Sequence, residues 1–401
     1  MCESLFYIKA IAHSMAKRIL VVSHGASLYG AERSLLLLLK HMNRGLFEPL
    51  VILAHPGPLE GELAALGIRT FRIACPWWVR MKSDRTSLPR RFYRELRAVF
   101  RLCRLIRRED VDLVYTNTSV VFSGAVAAFL TRRPHVWHIR EILPNNPDLI
   151  SVLPQPLLFK LIRRLSRAIV VNSQASGRQF DESYTARGFH VVYNAQPVDE
   201  DENEESDSPV DPDGVEASDW LVACVGSLQK IKAPDDAIRA VAAARGEIPH
   251  IRLLLIGEGS SEFKSYLHAL CDELGVSDRV TFAGFRTDVL RILSRCQALV
   301  MPSWNESFGR VLIEAMAVGT PVIAVNAGGI GEVIEDGATG YLVAPQAPEE
   351  MAERLVHLYR NPDIGKSLGA AGRDVVAKRF DVGTYVRSVE HIFTETQRDG
   401  G

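Results

Sequence analysis

The sequence contains no apolar run of about 18 residues, the length that a membrane-spanning helix requires. Its 6 cysteines are scattered without C-x-x-C spacing, so neither a disulfide framework nor a zinc site is indicated. The apolar stretch "LFYI" near the start is followed by Lys9 and has no basic leader, which argues against a secretion signal. These absences predict a cytoplasmic protein in a reducing compartment, with Met15 as its functional start.

Several common catalytic signatures are also missing. The sequence has no G-x-x-x-x-G-K-[ST] phosphate loop, no G-x-G-x-x-G after its first predicted strand and no H-E-x-x-H motif. It therefore lacks the local patterns of P-loop nucleotide hydrolases, dinucleotide-dependent dehydrogenases and zinc peptidases. No Asp and His cluster suited to a divalent ion is evident either, so we expect no metal and no cofactor.

What is present is a long, ordinary globular composition. The chain has 401 residues, of which 47% are apolar, and this is enough for two domains. Short β-branched runs alternate with longer helical patterns, which is typical of βα units with parallel sheets. We predict an α/β fold with two Rossmann-like domains, 15–195 and 220–375, facing each other across a cleft, with ligands beyond the carboxyl ends of the strands. The predicted strands are "RILVVSH", "EPLVILA", "RTFRIA", "DLVYTN", "HVWHIR", "AIVVNS", "HVVYNA", "WLVACVGS", "RLLLIGEG", "RVTFAGF", "ALVMPS", "PVIAVN" and "GYLVAP".

Two segments fall outside these domains. Residues 196–219 are acidic and almost free of large apolar side chains, which predicts a solvated linker or loop. Residues 376–401 carry apolar side chains at helical spacing, so we expect a terminal helix that either caps its own domain or crosses back to the first. Those positions are Phe380, Val382, Tyr385, Val386, Val389, Ile392 and Phe393.

The net charge of −1 conceals an uneven distribution. Residues 1–195 hold 28 Lys and Arg against 14 Asp and Glu, whereas residues 196–401 hold 19 against 34, which gives +14 and −15. Such a division indicates different partners for the two halves, and an anionic surface is the obvious candidate for the first half. Helical faces that happen to be basic are the alternative explanation.

The stretch "NESFGRVLIEAMAVGTPVIAVNAGG" places two carboxylates, Glu306 and Glu314, at and inside the start of a predicted helix over 308–318. Such a helix start attracts phosphate, because free N–H groups and the helix dipole act together there. Glu306 could instead be a simple helix-start acid, stabilising by about 0.3–1 kcal/mol. Glu314 lies among core-like positions and leans toward the helix start, which suits a ribose diol. The stretch therefore indicates a nucleotide that carries a sugar.

The same stretch, extended to "GEVIEDGATGYLV", closely resembles the donor-site block of retaining GT-B glycosyltransferases of family four. The resemblance continues through "LVACVGSLQKIKAPDDAIRAV", "LLLIGEG" and "RVTFAGFRTDVLRILSRC" in the order and spacing of the family, so it covers nearly the whole second half. The first half is similar to the family more loosely, through "YGAER", "HIRE", "VVNS" and "VVYNAQPVD". The resemblance implies the GT-B fold and a donor site in the second domain.

Carried over by position, the resemblance implies that Glu314 binds the nucleotide ribose, that Glu306 lies near the donor sugar and diphosphate, and that Lys232 offsets charge on the leaving diphosphate. His138 matches a strand-end histidine near the donor sugar. Lys232 could instead be a surface lysine, and His138 a core histidine. Backbone and small residues that are implied to surround the donor are Ser227, Gly257, Gly284, Phe308, Gly309, Arg310, Val311 and Leu312. Gly30, in the turn after the first predicted strand, could itself let the backbone approach the ligand, although most such glycines only make turns.

Three positions depart from the family pattern. The family usually has arginine at Ser227 and glycine at Ala233, and it favours a second glycine at Tyr29. Serine cannot supply a guanidinium, so another cation has to stabilise the leaving group, or that stabilisation is weaker. The cations that could compensate are Lys230, Arg33 and Arg140.

These features predict a glycosyltransferase that moves a hexose from a UDP- or GDP-linked sugar to a glycan or lipid-linked acceptor, with retention of configuration, in polysaccharide or glycolipid biosynthesis. The alternatives are a sugar-nucleotide epimerase on the same fold and an inactive sugar-nucleotide-binding protein. The expected partners are the nucleotide-sugar donor, the glycan or lipid-linked acceptor and the anionic inner face of the membrane. No nucleic acid is expected as a partner.

The membrane expectation depends on "LPRRFYRELRAVFRLCRLIRRED", residues 88–110, which has eight arginines. As a helix it predicts one apolar stripe and a largely separate set of arginines. The stripe, expected to be buried, is Phe92, Leu96, Val99, Leu102, Cys103 and Ile106. A domain helix with solvated arginines and a helix whose arginines attract anionic headgroups are both consistent with this pattern.

Overall fold

A computed structural model describes residues 16–81, 86–144, 149–180, 188–198 and 215–398. The first residues of the chain and most of the predicted acidic linker lie outside this part. The described chain divides into two compact units. Within the described ranges, the first unit comprises the residues of 1–172, 177–192 and 382–401, and the second unit comprises those of 173–176 and 193–381.

The first unit is a seven-stranded parallel sheet with helices. Its interior strand Lys17–Val22 (β1) has four consecutive buried residues, because a parallel sheet is covered on both faces. The strand order β3-β2-β1-β5-β6-β8-β9 is that of a Rossmann fold extended by one strand. The strands are β1 Lys17–Val22, β2 Phe47–Leu53, β3 Arg69–Arg72, β4 Val79–Met81, β5 Leu113–Thr116, β6 His135–Ile139, β7 Leu149–Ser151, β8 Ala168–Val171 and β9 Phe189–Val191. The helices are α1 Gly30–His41, α2 Pro58–Ala65, α3 Leu88–Arg108, α4 Ser123–Thr131 and α5 Gln155–Leu165.

The second unit repeats this arrangement with six parallel strands in the order β12-β11-β10-β13-β14-β15. Its strands are β10 Trp220–Val225, β11 Ile251–Ile256, β12 Val280–Gly284, β13 Ala298–Met301, β14 Val322–Val325 and β15 Tyr341–Val343. A short helix α6, Gln174–Arg178, has residues assigned to each of the two units. The helices that follow it are α7 Pro234–Ala244, α8 Ser261–Leu274, α9 Val289–Arg295, α10 Arg310–Ala317, α11 Pro348–Arg360 and α12 Pro362–Arg379. Single 3-10 turns occur at Lys230–Lys232, Ser277–Arg279 and Ile330–Glu332. The predicted α/β fold with two Rossmann-like units is confirmed.

The end of the chain is two helices rather than the single helix expected over 376–401. Helix α12 ends at Arg379, Phe380 is buried in the core of the second unit, and α13 begins at Val382 and runs to Arg398. Helix α13 packs on the first unit, where the Tyr385 hydroxyl donates to the Ser34 carbonyl over 3.2 Å. The helix ends where the backbone of Phe380 leaves the helical region, with a φ of −118° and a ψ of 31°.

Helix α3 is covered along only part of its apolar side. The predicted burial holds for Val99, Leu102, Cys103 and Ile106, but it is wrong for Phe92 and Leu96, which are 56% and 54% exposed. In the first turns the helix instead buries polar side chains: Arg91 donates to the Trp77 carbonyl, and Glu95 accepts from Ser123 Oγ at 2.9 Å. Exposed side chains of α3 are therefore both large apolar residues and arginines. They include Leu88, Phe92, Tyr93, Leu96, Phe100, Arg90, Arg94, Arg97, Arg101 and Arg104.

No helix in the described ranges combines the length and the apolar character that crossing a membrane would require.

Candidate donor-binding site

Glu306 and Lys232 form an ion pair in the second unit. Lys232 ends the 3-10 turn that follows β10, and Glu306 lies in the loop that follows β13, the neighbouring strand of the sheet. Parallel strands bring their carboxyl ends to one edge, so residues 74 positions apart in sequence meet there. The side chains are 31% and 15% exposed, so the pair borders solvent and is accessible to a ligand.

The loop that carries Glu306 is fixed by two glycines after β14. The Gly329 N–H donates to the Glu306 carbonyl over 2.8 Å. A Cβ on Gly328 would lie 2.1 Å from that carbonyl oxygen, and Gly328 has a φ of +59°, so other side chains are excluded there. Sequence reasoning gave these glycines no role, although their adjacency in "NAGG" is a signal of close backbone approach.

Helix α10 begins at Arg310, two residues later than predicted, because Gly309 adopts a φ of +80° and cannot continue a helix. A Cβ on Gly309 would lie 2.8 Å from Leu312 Cδ1, so a side chain there would also displace the end of the Leu312 side chain. Phe308 is buried against Tyr193 and Phe380. The first N–H groups of α10 follow this turn directly, on the same loop as Glu306.

Glu314 is buried inside α10 and accepts a hydrogen bond from Arg310 Nε at 2.7 Å. Arg310 Nη2 also donates to Gln196 Oε1 over 3.2 Å. The pair satisfies a carboxylate that would be costly to bury alone. Sequence reasoning considered only the backbone of Arg310 and missed its side chain, although the i, i+4 spacing to Glu314 is the pattern of a helical ion pair.

The glycines near β11 and β12 have a backbone explanation of their own. A Cβ on Gly257 would lie 1.9 Å from the Gly226 carbonyl oxygen, and the Gly257 N–H donates to the Gly284 carbonyl over 2.8 Å. These contacts draw the ends of β10, β11 and β12 together. Ser227 lies at the same edge, and it lines a small cavity together with Lys232, Pro302 and Ser303.

Two predicted site residues belong to the first unit. Gly30 opens α1, where a Cβ would meet no atom within 4 Å, so packing does not demand glycine. His138 is fully buried on β6, with Nδ1 2.6 Å from the Tyr115 hydroxyl. Burial, aided by the charge of Arg140, holds the pKa of His138 well below its usual value. Its Nε2 is buried without a hydrogen-bond partner among the described residues.

The cations that could replace the arginine missing at Ser227 lie in different units of the chain. Lys230 is exposed on the same 3-10 turn as Lys232. In the first unit, Arg33 Nε donates to the Leu28 carbonyl over 3.0 Å, and Arg140 Nε donates to Asn117 Oδ1 over 2.7 Å. Within the described parts of the chain, no group of three or more His, Cys, Asp and Glu is arranged to hold a metal ion.

Comparison with known proteins matches both halves of the chain to glycosyltransferase families. Residues 29–200 match the model of Glycosyltransferase Family 4, and residues 211–375 match that of Glycosyl transferases group 1. The N-acetyl-alpha-D-glucosaminyl L-malate synthase of Bacillus anthracis is 28% identical over 312 residues, which are 76% of this chain and 80% of that protein. The D-inositol 3-phosphate glycosyltransferase of Mycobacterium bovis is 34% identical over 202 residues, 47% of this chain and 41% of that protein.

Solved structures resemble the whole described fold. The crystal structure of Anabaena HepE in complex with UDP and glucose has a TM-score of 0.77 and 25% identity, and the match covers 94% of this chain and 100% of HepE. Sucrose-phosphate synthase from Thermosynechococcus elongatus, at 18% identity and a TM-score of 0.72, shares the fold. With the two matched families and the ion-paired acids at one sheet edge, these likenesses show that the chain is a GT-B glycosyltransferase and belongs to the glycosyl transferases group 1.

Proposed function

We propose that the protein transfers a hexose from a UDP- or GDP-linked sugar to a glycan or lipid-linked acceptor, with retention of configuration, in polysaccharide or glycolipid assembly. The observation that carries this proposal is the ion pair between Lys232 and Glu306, of which Glu306 lies on the loop leading into α10. One cation, one acid and a helix start at one sheet edge match the polarity of a sugar diphosphate. The bound UDP and glucose of HepE support a nucleotide-sugar donor.

In the proposed complex the diphosphate lies at the start of α10, and Lys232 turns from Glu306 toward it. Positive charge near the leaving diphosphate stabilises the charge that develops as the glycosidic C–O bond breaks. The acceptor oxygen forms the new bond on the same face of the sugar, and its proton passes to an oxygen of the departing diphosphate. Glu306 then accepts hydrogen bonds from sugar hydroxyls, and Glu314 accepts them from the ribose.

We propose that this reaction needs no metal, because Lys232 and the helix amides supply the positive charge. The test is activity after dialysis against EDTA. Turnover should remain within about twofold of the untreated enzyme. Loss of activity that manganese or magnesium restores would contradict the proposal.

The donor is tested by a thermal-shift screen of UDP- and GDP-linked hexoses. A ligand at 100 times its dissociation constant adds roughly 2.7 kcal/mol to the unfolding free energy, which gives a clear shift. Product analysis by NMR, with and without a lipid extract, then separates the alternatives. A new sugar nucleotide formed without an acceptor indicates an epimerase, and binding without any product indicates an inactive binding protein. Transfer with inverted configuration would disprove retention.

We further propose that α3 places the first unit on an anionic membrane surface. Phe100 is 70% exposed and Phe92 is 56% exposed, and arginines alternate with them along the helix. Interfacial helices combine apolar side chains that enter the bilayer boundary with basic side chains that meet anionic headgroups. An exposed row of large apolar residues also has no packing function in the first unit itself. This surface would bring the enzyme to a lipid-linked acceptor.

A further inference from the structure

A second cavity lies wholly within the first unit and is separate from the residues assigned to the donor. Its volume is about 410 Å³, which is within the range of small-molecule sites. It is formed where β1, β2 and β3 end, the edge at which sheets of this type bind ligands. The N-terminal part of α3 closes one side of it.

Four of the side chains that line this cavity are basic, and Thr86 adds a hydroxyl group. His24 follows β1, His55 follows β2, and α3 contributes Arg91 and Arg94. None of the residues found to line the cavity in the described chain is acidic. The Cys75 thiol adds no negative charge, because burial raises its pKa to about 12.

The basic groups are held in different ways. Arg91 is buried and donates to the Trp77 carbonyl, which fixes its guanidinium at the wall of the cavity. His24 Nε2 lies 3.4 Å from Glu32 Oε1, and its ring packs against Trp77 with centroids 5.5 Å apart. Arg94 and His55 are exposed, and no acid of the described residues lies within ion-pair distance of Arg94.

We infer that this cavity binds the phosphate group of the acceptor, as a phosphate monoester. Such a group carries about −1.5 to −2 charges and three acceptor oxygens, and this suits several convergent donors rather than one. Trp77 and Pro76 supply an apolar wall for the carbon skeleton next to the phosphate. That the phosphate belongs to the acceptor rests on the proposed glycosyltransferase function, whereas the binding of a phosphate monoester rests on the cavity alone.

The source of the phosphate is either a soluble metabolite or a lipid headgroup, and two probes distinguish them. Glycerol 3-phosphate represents the soluble source. Dihexanoyl phosphatidic acid, kept below its micelle concentration, represents the lipid source without a bilayer. Binding of each probe to the full-length protein is measured by isothermal titration, with glycerol as the uncharged control.

The decisive variants are Arg94→Gln and Arg104→Gln. Both residues are exposed arginines of α3, but only Arg94 lines the cavity. At least one probe should bind saturably, Arg94→Gln should weaken it at least tenfold, and Arg104→Gln should change it less than twofold. His55→Leu, a second exposed position, should weaken binding in the same direction.

Two results would overturn the inference: neither probe binds, or Arg104→Gln weakens binding as much as Arg94→Gln. The second result would mean that the helix attracts anions without a site. UDP and GDP titrations on the same samples test the donor site separately. Absent nucleotide binding with intact, Arg94-dependent phosphate binding would reject the proposed function but keep the cavity.

Discussion

Arg310 lies one helical turn before Glu314, and its Nε donates to the Glu314 carboxylate over 2.7 Å. The two side chains are largely withdrawn from solvent, at 15% and 8% exposure. A carboxylate has about four acceptor positions, so Glu314 can keep this bond and still accept from a ribose diol. The ion pair thus orients the carboxylate before any ligand arrives.

This arrangement predicts different effects for the two acids of the site. Glu314→Gln should raise the dissociation constant of the nucleotide about tenfold or more, because a hydrogen bond to a charged group contributes about 1.5–3 kcal/mol. Glu306→Gln should leave that constant within about threefold but lower kcat about a hundredfold, because Glu306 is proposed to hold the donor sugar next to the glycosidic bond, where charge develops in the transition state. Titration calorimetry and initial rates measure the two effects.

Glu353→Gln is the matched control, since Glu353 is an exposed acid on α11. It should change neither quantity. Urea unfolding of each variant verifies that Glu314→Gln remains folded after Arg310 loses its carboxylate partner. If both site variants bind nucleotide and turn over like the control, the donor-site assignment is wrong.

Ala233 predicts a backbone effect next to Lys232. It has a φ of +48°, in the left-handed region where an alanine costs about 1–2 kcal/mol relative to the right-handed form. Ala237, on α7, is equally buried but helical. Both substitutions to glycine lose one buried methyl group, but Ala233→Gly also relieves strain, whereas Ala237→Gly adds about 1 kcal/mol for glycine inside a helix. Ala233→Gly should therefore be less destabilising than Ala237→Gly by about 2–3 kcal/mol, measured by urea unfolding. A difference of only about 1 kcal/mol would show that no strain is stored at Ala233.

Much of the fold follows from local sequence patterns, and the exceptions have physical causes. All thirteen predicted runs overlap strands, and the interior strands are buried on both faces as a parallel sheet demands, whereas the edge strands β3 and β9 are partly exposed. The antiparallel pair β4 and β7 was missed, since three residues per strand give no usable periodicity. Phe92 and Leu96 were misplaced because helical spacing identifies an apolar side, but not how much of it another element covers.

The candidate site was predicted in part for similar reasons. The family resemblance implied that Glu306, Lys232 and Glu314 share one donor site, and the first two form an ion pair at a sheet edge. The ion pair of Arg310 with Glu314 was predictable, because both residues lie within the predicted helix over 308–318 at i, i+4 spacing. Where α10 starts depends on the left-handed φ of Gly309, which sequence alone does not specify.

Two buried histidines predict how stability depends on pH. Burial lowers the pKa of His135 to about 3, and the pKa of His138 also lies well below its usual value. The folded protein therefore keeps both rings neutral, whereas the unfolded chain binds protons below about pH 6.5. Their contribution to the free energy of unfolding is complete above that pH and is lost as the pH falls toward the pKa of the folded state. Each histidine should contribute a slope of about 1.4 kcal/mol per pH unit below pH 6.

The measurement is the unfolding free energy from urea titrations between pH 6 and pH 4.5. His135→Gln should reduce the slope by about 1.4 kcal/mol per pH unit, whatever its effect on absolute stability. His250→Gln, at an exposed histidine, is the control and should leave the slope unchanged. Equal slopes in both variants would mean that His135 is protonated in the folded state.

The exposed side of α3 predicts binding to anionic membranes. Its arginines should each contribute about 1 kcal/mol near an anionic surface, so Arg94, Arg97, Arg101 and Arg104 together give about 4 kcal/mol, roughly a thousandfold in affinity at low salt. Co-sedimentation with phosphatidylglycerol liposomes measures this, and binding should fall as salt shortens the Debye length. Replacing the four arginines by glutamine should abolish it.

The control for net charge replaces four exposed basic residues of the second unit, Arg239, Arg360, Lys366 and Lys378, by glutamine. This variant loses the same charge. If it still binds liposomes, the location of the arginines on α3 matters and the total charge of the protein does not. Phe100→Ser distinguishes insertion of apolar side chains into the bilayer from attraction of the arginines to headgroups. It removes an exposed aromatic side chain without changing the charge. It should weaken binding even at low salt, because apolar burial contributes to interfacial affinity. If wild-type protein stays in the supernatant with anionic liposomes at low salt, α3 does not contact membranes, and the acceptor is soluble.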